Sequence, residues 1–200
     1  WQDEYALWED AALKSPGAPE PIVRLGTLHS DAARSMLGEA EQFARNNDRP
    51  AAIKRREEAL AEFGAAMNFL QQAVELQPDD ANLRAELGAT FAYQNRRDDA
   101  IKALTEAVRL NPALQEPALR LATLYAADPN DPVNTAGNQK ALDYFARAAR
   151  LGRLTPESAT SYAALLARNG NILAAGQVLA PYVTADNTQS PANTVFQQLR

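Results

Sequence analysis

The chain lacks cysteine entirely and has one histidine, His29, among its 200 residues. Disulfides, thiolate chemistry and cysteine zinc sites are therefore excluded, and one histidine cannot build a histidine metal cluster. No run approaches the roughly 20 apolar residues that a membrane-spanning helix needs, and the start of the chain shows no signal-peptide pattern. The sequence predicts no metal ion and no cofactor.

The balance of charge excludes a further class of partner. Lys and Arg number 20 against 25 Asp and Glu, which gives a formal net charge of -5. An acidic chain has no overall electrostatic attraction to a phosphate backbone, so we expect no nucleic-acid partner. The hydrophobic content of 46% is sufficient for a folded core.

A repeat with a period of 34 residues organises the centre of the chain. Its signature combines small, large apolar and proline positions: Leu87, Gly88, Phe91, Ala100, Leu104, Ala107 and Pro112. One period earlier stand Ala66, Leu70, Ala73 and Pro78, and one period later stand Leu121, Ala122 and Tyr125. Small residues at positions such as Gly88 and Ala100 allow two helices to cross closely. The repeat therefore predicts stacked helical hairpins.

Two repeats are longer than this period. Ala141, Phe145 and Ala148 follow the second-helix signature after 41 residues, which places an inserted loop at 128–138. Gly26 and Ala66 lie 40 residues apart where Gly88 and Ala100 lie 12 apart, and the turn-like residues 46–50 stand midway. Apolar heptads occupy both arms of this unit. The first arm has Ile22, His29, Met36 and Phe43 beside the small Gly26, Ala33 and Ala40, and the second has Ile53, Leu60, Met67 and Val74 with Phe63 and Leu70 between them. This spacing predicts a long antiparallel coiled-coil-like finger with these residues along its interface.

These repeats resemble the tetratricopeptide-repeat (TPR) family. The resemblance implies an all-α TPR-type α-solenoid of helical hairpins, with the first complete hairpin extended into the finger. We expect a single solenoid domain over 1–200. Its predicted segments are a capping helix at 3–16, the elongated hairpin at 19–78, a regular repeat at 81–114, a repeat with the inserted loop at 115–153, a degenerate repeat at 156–187 and a C-terminal capping helix at 190–200.

The TPR resemblance also implies a concave groove, made by the first helices of the hairpins, that binds a peptide or helix of a protein partner. Its predicted lining is Ala85, Ala89, Ala92, Tyr93, Leu119, Thr123, Ala126, Ala127, Thr160, Ala164 and Arg168. Tyr93 is the candidate anchor. The alternatives are a narrow groove, or one that the C-terminal helix fills through Val195 and Phe196. The Lys and Asn pattern of TPR domains that bind chaperone C-termini is absent.

The predicted finger tip is basic within an otherwise acidic chain. It contains Arg45, Arg49, Lys54, Arg55 and Arg56, with Asp48 as the acid among them. One interpretation is a contact with an acidic partner or with anionic lipid head groups. The other is a solvated helix face whose charge Glu57 and Glu58 offset.

No set of residues predicts catalysis. His29 falls in an apolar stripe, where a buried, hydrogen-bonded histidine is expected. Asp128 and Asp131 stand among prolines and are expected to form a turn. A reaction would require converging acid, base or nucleophile groups that these residues do not supply, so we expect a non-catalytic interaction scaffold.

A second resemblance concerns the N-terminus and suggests another context. The segment resembles the junction between the last membrane helix and the C-terminal TPR tail of multi-pass glycosyltransferase-like proteins. The residues that carry this resemblance are Trp1, Asp3, Glu4, Leu7, Trp8, Asp10, Ala11, Leu13, Lys14, Ser15 and Pro16, then Pro19, Pro21, Leu25 and Gly26. It implies an extracytoplasmic accessory domain of a bacterial membrane protein, attached through a segment upstream of Trp1. A third alternative is a structural spacer that associates with itself.

Overall fold

The computed structural model describes residues 2–126, 135–183 and 191–198, and in this part of the chain the secondary structure is helical, with ten α-helices and no strand. The chain divides into two compact units, Trp1–Pro112 and Ala113–Arg200. The single solenoid domain expected from the repeats stays a prediction.

The first unit contains five helices, each packed on its neighbour along the chain. They are α1 (Gln2–Lys14), α2 (Pro19–Arg45), α3 (Arg49–Leu76), α4 (Ala81–Tyr93) and α5 (Arg97–Leu110). Pairs α2/α3 and α4/α5 are the hairpins. Because α2 and α3 have 27 and 28 residues where α4 and α5 have 13 and 14, the predicted long hairpin is confirmed.

The second unit contains the remaining helices. They are α6 (Gln115–Ala126), α7 (Thr135–Leu151), α8 (Pro156–Arg168), α9 (Ile172–Leu179), a 3-10 turn (Ala180–Tyr182) and α10 (Pro191–Gln198). Helix α6 pairs with α7 and α8 pairs with α9, while α10 packs on α8 and α9. Since α7 begins at Thr135, the last positions of the predicted loop 128–138 are helical, and 128–134 lie outside the described residues.

Small residues lie where the helices of a hairpin cross, as the repeat signature predicts. A Cβ atom added to Gly88 would lie 2.6 Å from Leu104 Cγ, and one added to Gly26 would lie 3.0 Å from Leu70 Cγ. In the second unit Ala122 and Ala141 occupy one buried cluster with Phe145. The crossing therefore fixes the size of the side chain at these positions.

Three hairpins close with the same turn. Asn47, Asn95 and Gly170 have φ values of 62°, 59° and 80°, one residue after the helix C-cap. The residue after each of them donates its backbone N–H to a carbonyl of the preceding helix, as in Arg96 N to Phe91 O at 2.9 Å. Asn and Gly are the residues that tolerate this left-handed conformation at a helix end. The long hairpin therefore turns as the regular ones do.

The interface of the long hairpin agrees with the predicted one in part. Its buried residues on α3 are Ala52, Ala59, Phe63, Ala66, Leu70 and Ala73, and on α2 they include Ile22, Gly26, Ala33 and Ala40. The predicted Ile53 and Leu60 are instead 58% and 45% exposed, and Phe43 is also exposed. Their assignment to the interface is wrong. On α3 the helices approach through a heptad of alanines one position before Ile53 and Leu60, and on α2 the buried residue near Phe43 is Ala40.

Candidate functional site

The predicted groove residues of the first unit lie on α4. Ala89 is buried, at 3% exposure, while Ala85, Ala92 and Tyr93 are partly buried. The Tyr93 ring stacks on Phe63 of α3, with 4.4 Å between ring centroids and 10° between planes. An aromatic pair in this geometry is held in one orientation, so Tyr93 is a rigid part of this face.

The predicted groove residues of the second unit lie on α6 and α8, which contact each other. Leu119, Thr123 and Ala126 share one face of α6, and Thr160, Ala164 and Arg168 share one face of α8, because they are spaced by three or four residues. Thr123 Oγ1 donates to Leu119 O at 3.0 Å, and Thr160 Oγ1 donates to Pro156 O at 2.7 Å. Both hydroxyl protons are thus bound within the helices. Ala127 lies outside the described residues.

Helix α10 packs beside α8 through a different set of residues. Val195 and Phe196 pack against the buried cluster of Ala163, Leu166, Ala175, Leu179 and Ala192. That cluster joins α8 to α9 and α10. The structure therefore assigns Val195 and Phe196 to the core that caps this hairpin.

The five basic residues of the finger tip differ in their partners. Arg55 donates to Glu39 at 2.8 Å and to Glu58 at 2.7 Å. The hydrogen bond from Arg55 holds the pKa of the Glu58 carboxyl below its ordinary value, and hydrogen bonds to Glu58 and Glu39 raise the pKa of Arg55. Lys54 lies 3.9 Å from Glu58 and Arg45 lies 4.0 Å from Glu41.

Arg49 and Arg56 form no hydrogen bond or ion pair with any residue that the structure describes, and both are exposed. Because Arg45, Lys54 and Arg55 each have an acidic neighbour, the unneutralised charge of the tip is concentrated on these two arginines. The exposure of Arg49 and Arg56 fits a solvated helix face and also leaves both available to an acidic partner, so both interpretations of the tip stay predictions.

An open cleft of about 290 Å³ lies on the side of the finger near Arg55. Its lining is Glu39, Phe43, Ala51, Lys54, Arg55 and Glu58. The charged groups in it pair with each other, and its volume is at the lower limit for small-molecule sites. It offers no convergent polar groups for a ligand.

His29 is hydrogen-bonded, as predicted, and it is partly buried. Its Nδ1 atom lies 2.6 Å from Glu62 Oε2, and its ring lies between those of Tyr5 and Phe69. The contact joins α1, α2 and α3. Within the described ranges no group of three or more His, Asp and Glu side chains is arranged to hold a metal ion, while Asp128 and Asp131 lie outside those ranges.

The N-terminal helix packs on α2, as a cap would. The Arg24 guanidinium lies 5.8 Å from the Trp8 ring centroid, and Trp8 is partly buried; Trp1 lies outside the described residues. None of the helices in residues 2–126, 135–183 and 191–198 has the length and apolar character needed to cross a membrane.

Comparison with known proteins bears on the repeats and on the fold. No protein-family model matches the chain. The inactive TPR repeat-containing thioredoxin TTL3 of Arabidopsis thaliana is 30% identical over 91 residues, which are 44% of this chain. The chain spans 13% of the length of that curated relative.

Two solved structures cover most of the chain at low identity. The crystal structure of MamA has a TM-score of 0.57 at 14% identity and covers 87% of this chain and 81% of its own. The structure of PilF from Pseudomonas aeruginosa has a TM-score of 0.56 at 16% identity. The match covers 100% of this chain and 99% of the PilF chain. The chain has the fold and the repeat signature of a TPR protein. TPR proteins generally bind protein partners through stacked hairpins.

Sequence reasoning missed the stacking of Tyr93 on Phe63. The signal was available, because Phe63 stands in the buried series of α3 and Tyr93 ends the first helix of the next hairpin. The distribution of ion pairs at the tip had no such signal, since it depends on which acid of α2 lies opposite Arg55.

Proposed function

We propose that the chain is a non-catalytic protein-interaction scaffold, which binds a peptide or a helix of a partner protein on the first-helix faces of its hairpins. The TPR fold supports the general role, because its repeats generally serve as platforms for protein partners. In the second unit the α6/α8 face is the proposed place of binding, and its proposed contacts are Leu119, Thr123, Ala126, Thr160, Ala164 and Arg168. In the first unit the α4 face is a separate proposed surface, with Ala85, Ala92 and Tyr93.

The observation that carries this proposal is the chemistry of the α6/α8 face. Since the hydroxyls of Thr123 and Thr160 donate to their own helices, this face presents methyl groups and small side chains beside Leu119, with the exposed Arg168 at the end of α8. A backbone or helix can approach such a surface closely without leaving buried donors unpaired.

The test is selection of binders from a displayed library of random peptides with the whole chain as bait. Affinities of selected peptides are then measured by fluorescence anisotropy against the wild type and Thr123→Arg. We expect this substitution to weaken binding at least about tenfold, because an arginine obstructs the approach of the peptide. An arginine at the predicted groove residue Ala89 would not test binding, because Ala89 is buried and the substitution would disturb the core.

The matched control is Ser161→Arg, which adds the same side chain at an exposed position of α8 beside Thr160. We expect it to leave the affinity unchanged, and circular dichroism should show equal helicity for both variants. Failure to select any peptide, or peptides that tolerate Thr123→Arg, would favour a structural spacer. The membrane-attached accessory role rests on the N-terminal resemblance alone and stays a prediction.

A further inference from the structure

One face of α3 is covered by the end of α4 and then continues beyond it. Gln94 Nε2, just after α4, donates to Leu60 O at 3.0 Å, and Arg96 Nη1 lies 3.1 Å from Met67 Sδ. Helix α3 begins at Arg49, so its residues before Leu60 extend about 16 Å past this contact. In that stretch the described residues leave the same face exposed.

Four residues form this exposed face, and we name them the tip stripe: Arg49, Ile53, Arg56 and Leu60. Their spacing of four, three and four places them along one line of the helix. Large apolar side chains that are about half exposed alternate in it with arginines that have no partner among the described residues. Lys54 and Arg55, which have acidic partners, lie on other faces of α3.

We infer that the tip stripe binds an amphipathic helix of a protein partner, with Asp or Glu flanking its apolar residues. Helical shape is indicated because α4 already packs on α3, with Tyr93 stacked on Phe63, and the turn after α4 contacts α3 at Leu60 and Met67. A helix beside the start of α3 would extend this helix–helix contact. Acidic character follows from charge complementarity with Arg49 and Arg56. Guanidinium groups pair with carboxylates in a fixed, bidentate geometry.

The stripe suits a protein helix better than an anionic membrane. The chain carries a net charge of -5, and Glu57 and Glu58 follow Arg56 on the neighbouring faces of α3, so a broad anionic surface would meet repulsion beside the stripe. A single helix covers a narrower strip than a membrane does, and it can place its acids beside Arg49 and Arg56 and a neutral residue beside Glu57, which lies four residues after Ile53. This inference goes beyond the proposed function, since the α6/α8 face belongs to the other unit.

The experiment uses the whole chain and a displayed library of amphipathic helical peptides of about 20 residues, whose polar positions are randomised. Selection on the wild type is followed by counter-selection on the double variant Arg49→Glu, Arg56→Glu. We expect the surviving peptides to carry Asp or Glu three or four residues apart beside an apolar stripe. Binders without acidic enrichment would overturn the inference.

Affinities of the selected peptides provide the decisive comparison. The Arg49→Glu, Arg56→Glu variant and the Ile53→Ser, Leu60→Ser variant should each weaken binding by at least about tenfold. A peptide with Lys in place of its acids should regain affinity for the arginine variant. Lys54→Glu, the matched charge reversal on another face, should leave the affinity within about twofold of the wild type; equal loss with Lys54→Glu would contradict the stripe.

Two further measurements test whether a lipid surface or a second copy of this chain, and not a partner helix, binds the tip stripe. Flotation with phosphatidylserine vesicles that depends on Arg49 and Arg56 would overturn the inference in favour of a lipid surface. A dimer in analytical ultracentrifugation that Ile53→Ser, Leu60→Ser abolishes would overturn it in favour of a second copy. Thr123→Arg should leave peptide binding at the stripe intact, so failure here and failure of the proposed groove are distinguishable.

Discussion

At the scale of single residues, distance to the opposite helix explains why Gly88 is glycine. A Cβ atom there would lie 2.6 Å from Leu104 Cγ and 3.1 Å from Leu104 N, whereas one at Gly38 would have no neighbour within 4 Å. Both glycines are helical, so their backbone conformation does not require glycine. Gly88 is required by packing, and Gly38 only lowers the stability of its helix.

We expect Gly88→Ala to lower the free energy of unfolding by about 1–2 kcal/mol, since the cost of overpacking exceeds the gain in helix propensity. Gly38→Ala should raise it by about 0.5–1 kcal/mol. Urea denaturation followed by circular dichroism measures both. Equal stability of the two variants would show that Leu104 moves aside without cost.

At the scale of elements, the hairpins, their turns and the length of the finger were predictable because they depend on local signals. Asn46, Asn47 and Asp48 marked the tip, and Gly26 and Ala66 gave the spacing. The interface of the finger was not predictable in the same way. Its alanine heptad and the heptad of Ile53 and Leu60 have the same period, and only the distance between the two helices selects the alanines.

The position of the alanine heptad in the interface predicts how substitutions in α3 change stability. Ala59→Leu should lower the free energy of unfolding by about 1–3 kcal/mol, because Ala59 is fully buried between the arms. Ile53→Ala should change it by at most about 0.5 kcal/mol, since Ile53 is mostly exposed. Thermal and urea unfolding of both variants provide the measurement. A larger loss of stability with Ile53→Ala than with Ala59→Leu would show that the heptad of large residues, and not the alanine heptad, forms the interface.

At the scale of the whole molecule, the first unit has the contacts of an independent fold. Each of α1 to α5 packs on a neighbouring helix within Trp1–Pro112, and Phe63, Leu70 and Leu104 are fully buried there. A fragment comprising residues 1–112 should therefore be helical by circular dichroism and unfold cooperatively in urea. A broad, non-cooperative transition of this fragment would show that its core requires the rest of the chain.

The candidate sites were predictable to different degrees at this scale. The TPR resemblance gave the helices that carry the groove residues, because repeat spacing determines which face each residue occupies. It could not give the burial of Ala89, which depends on the packing of α4. Counting charges in the sequence also could not show that Arg55 has acidic partners while Arg49 and Arg56 have none among the described residues. That difference depends on the ion pair between Arg55 of α3 and Glu39 of α2.

The length of the finger also sets how its charges act. Arg49 lies about 16 Å along α3 from Leu60, where Gln94 makes its contact, and the Debye length in physiological salt is about 8 Å. Two screening lengths therefore separate the start of α3 from the charged residues of α4 and α5. An approaching molecule therefore meets only the local charges of the tip, which are Arg49 and Arg56 with Glu57 and Glu58 beside them. Substitutions that change the charge of α4 or α5 should leave the rate at which a molecule associates with the tip unaltered.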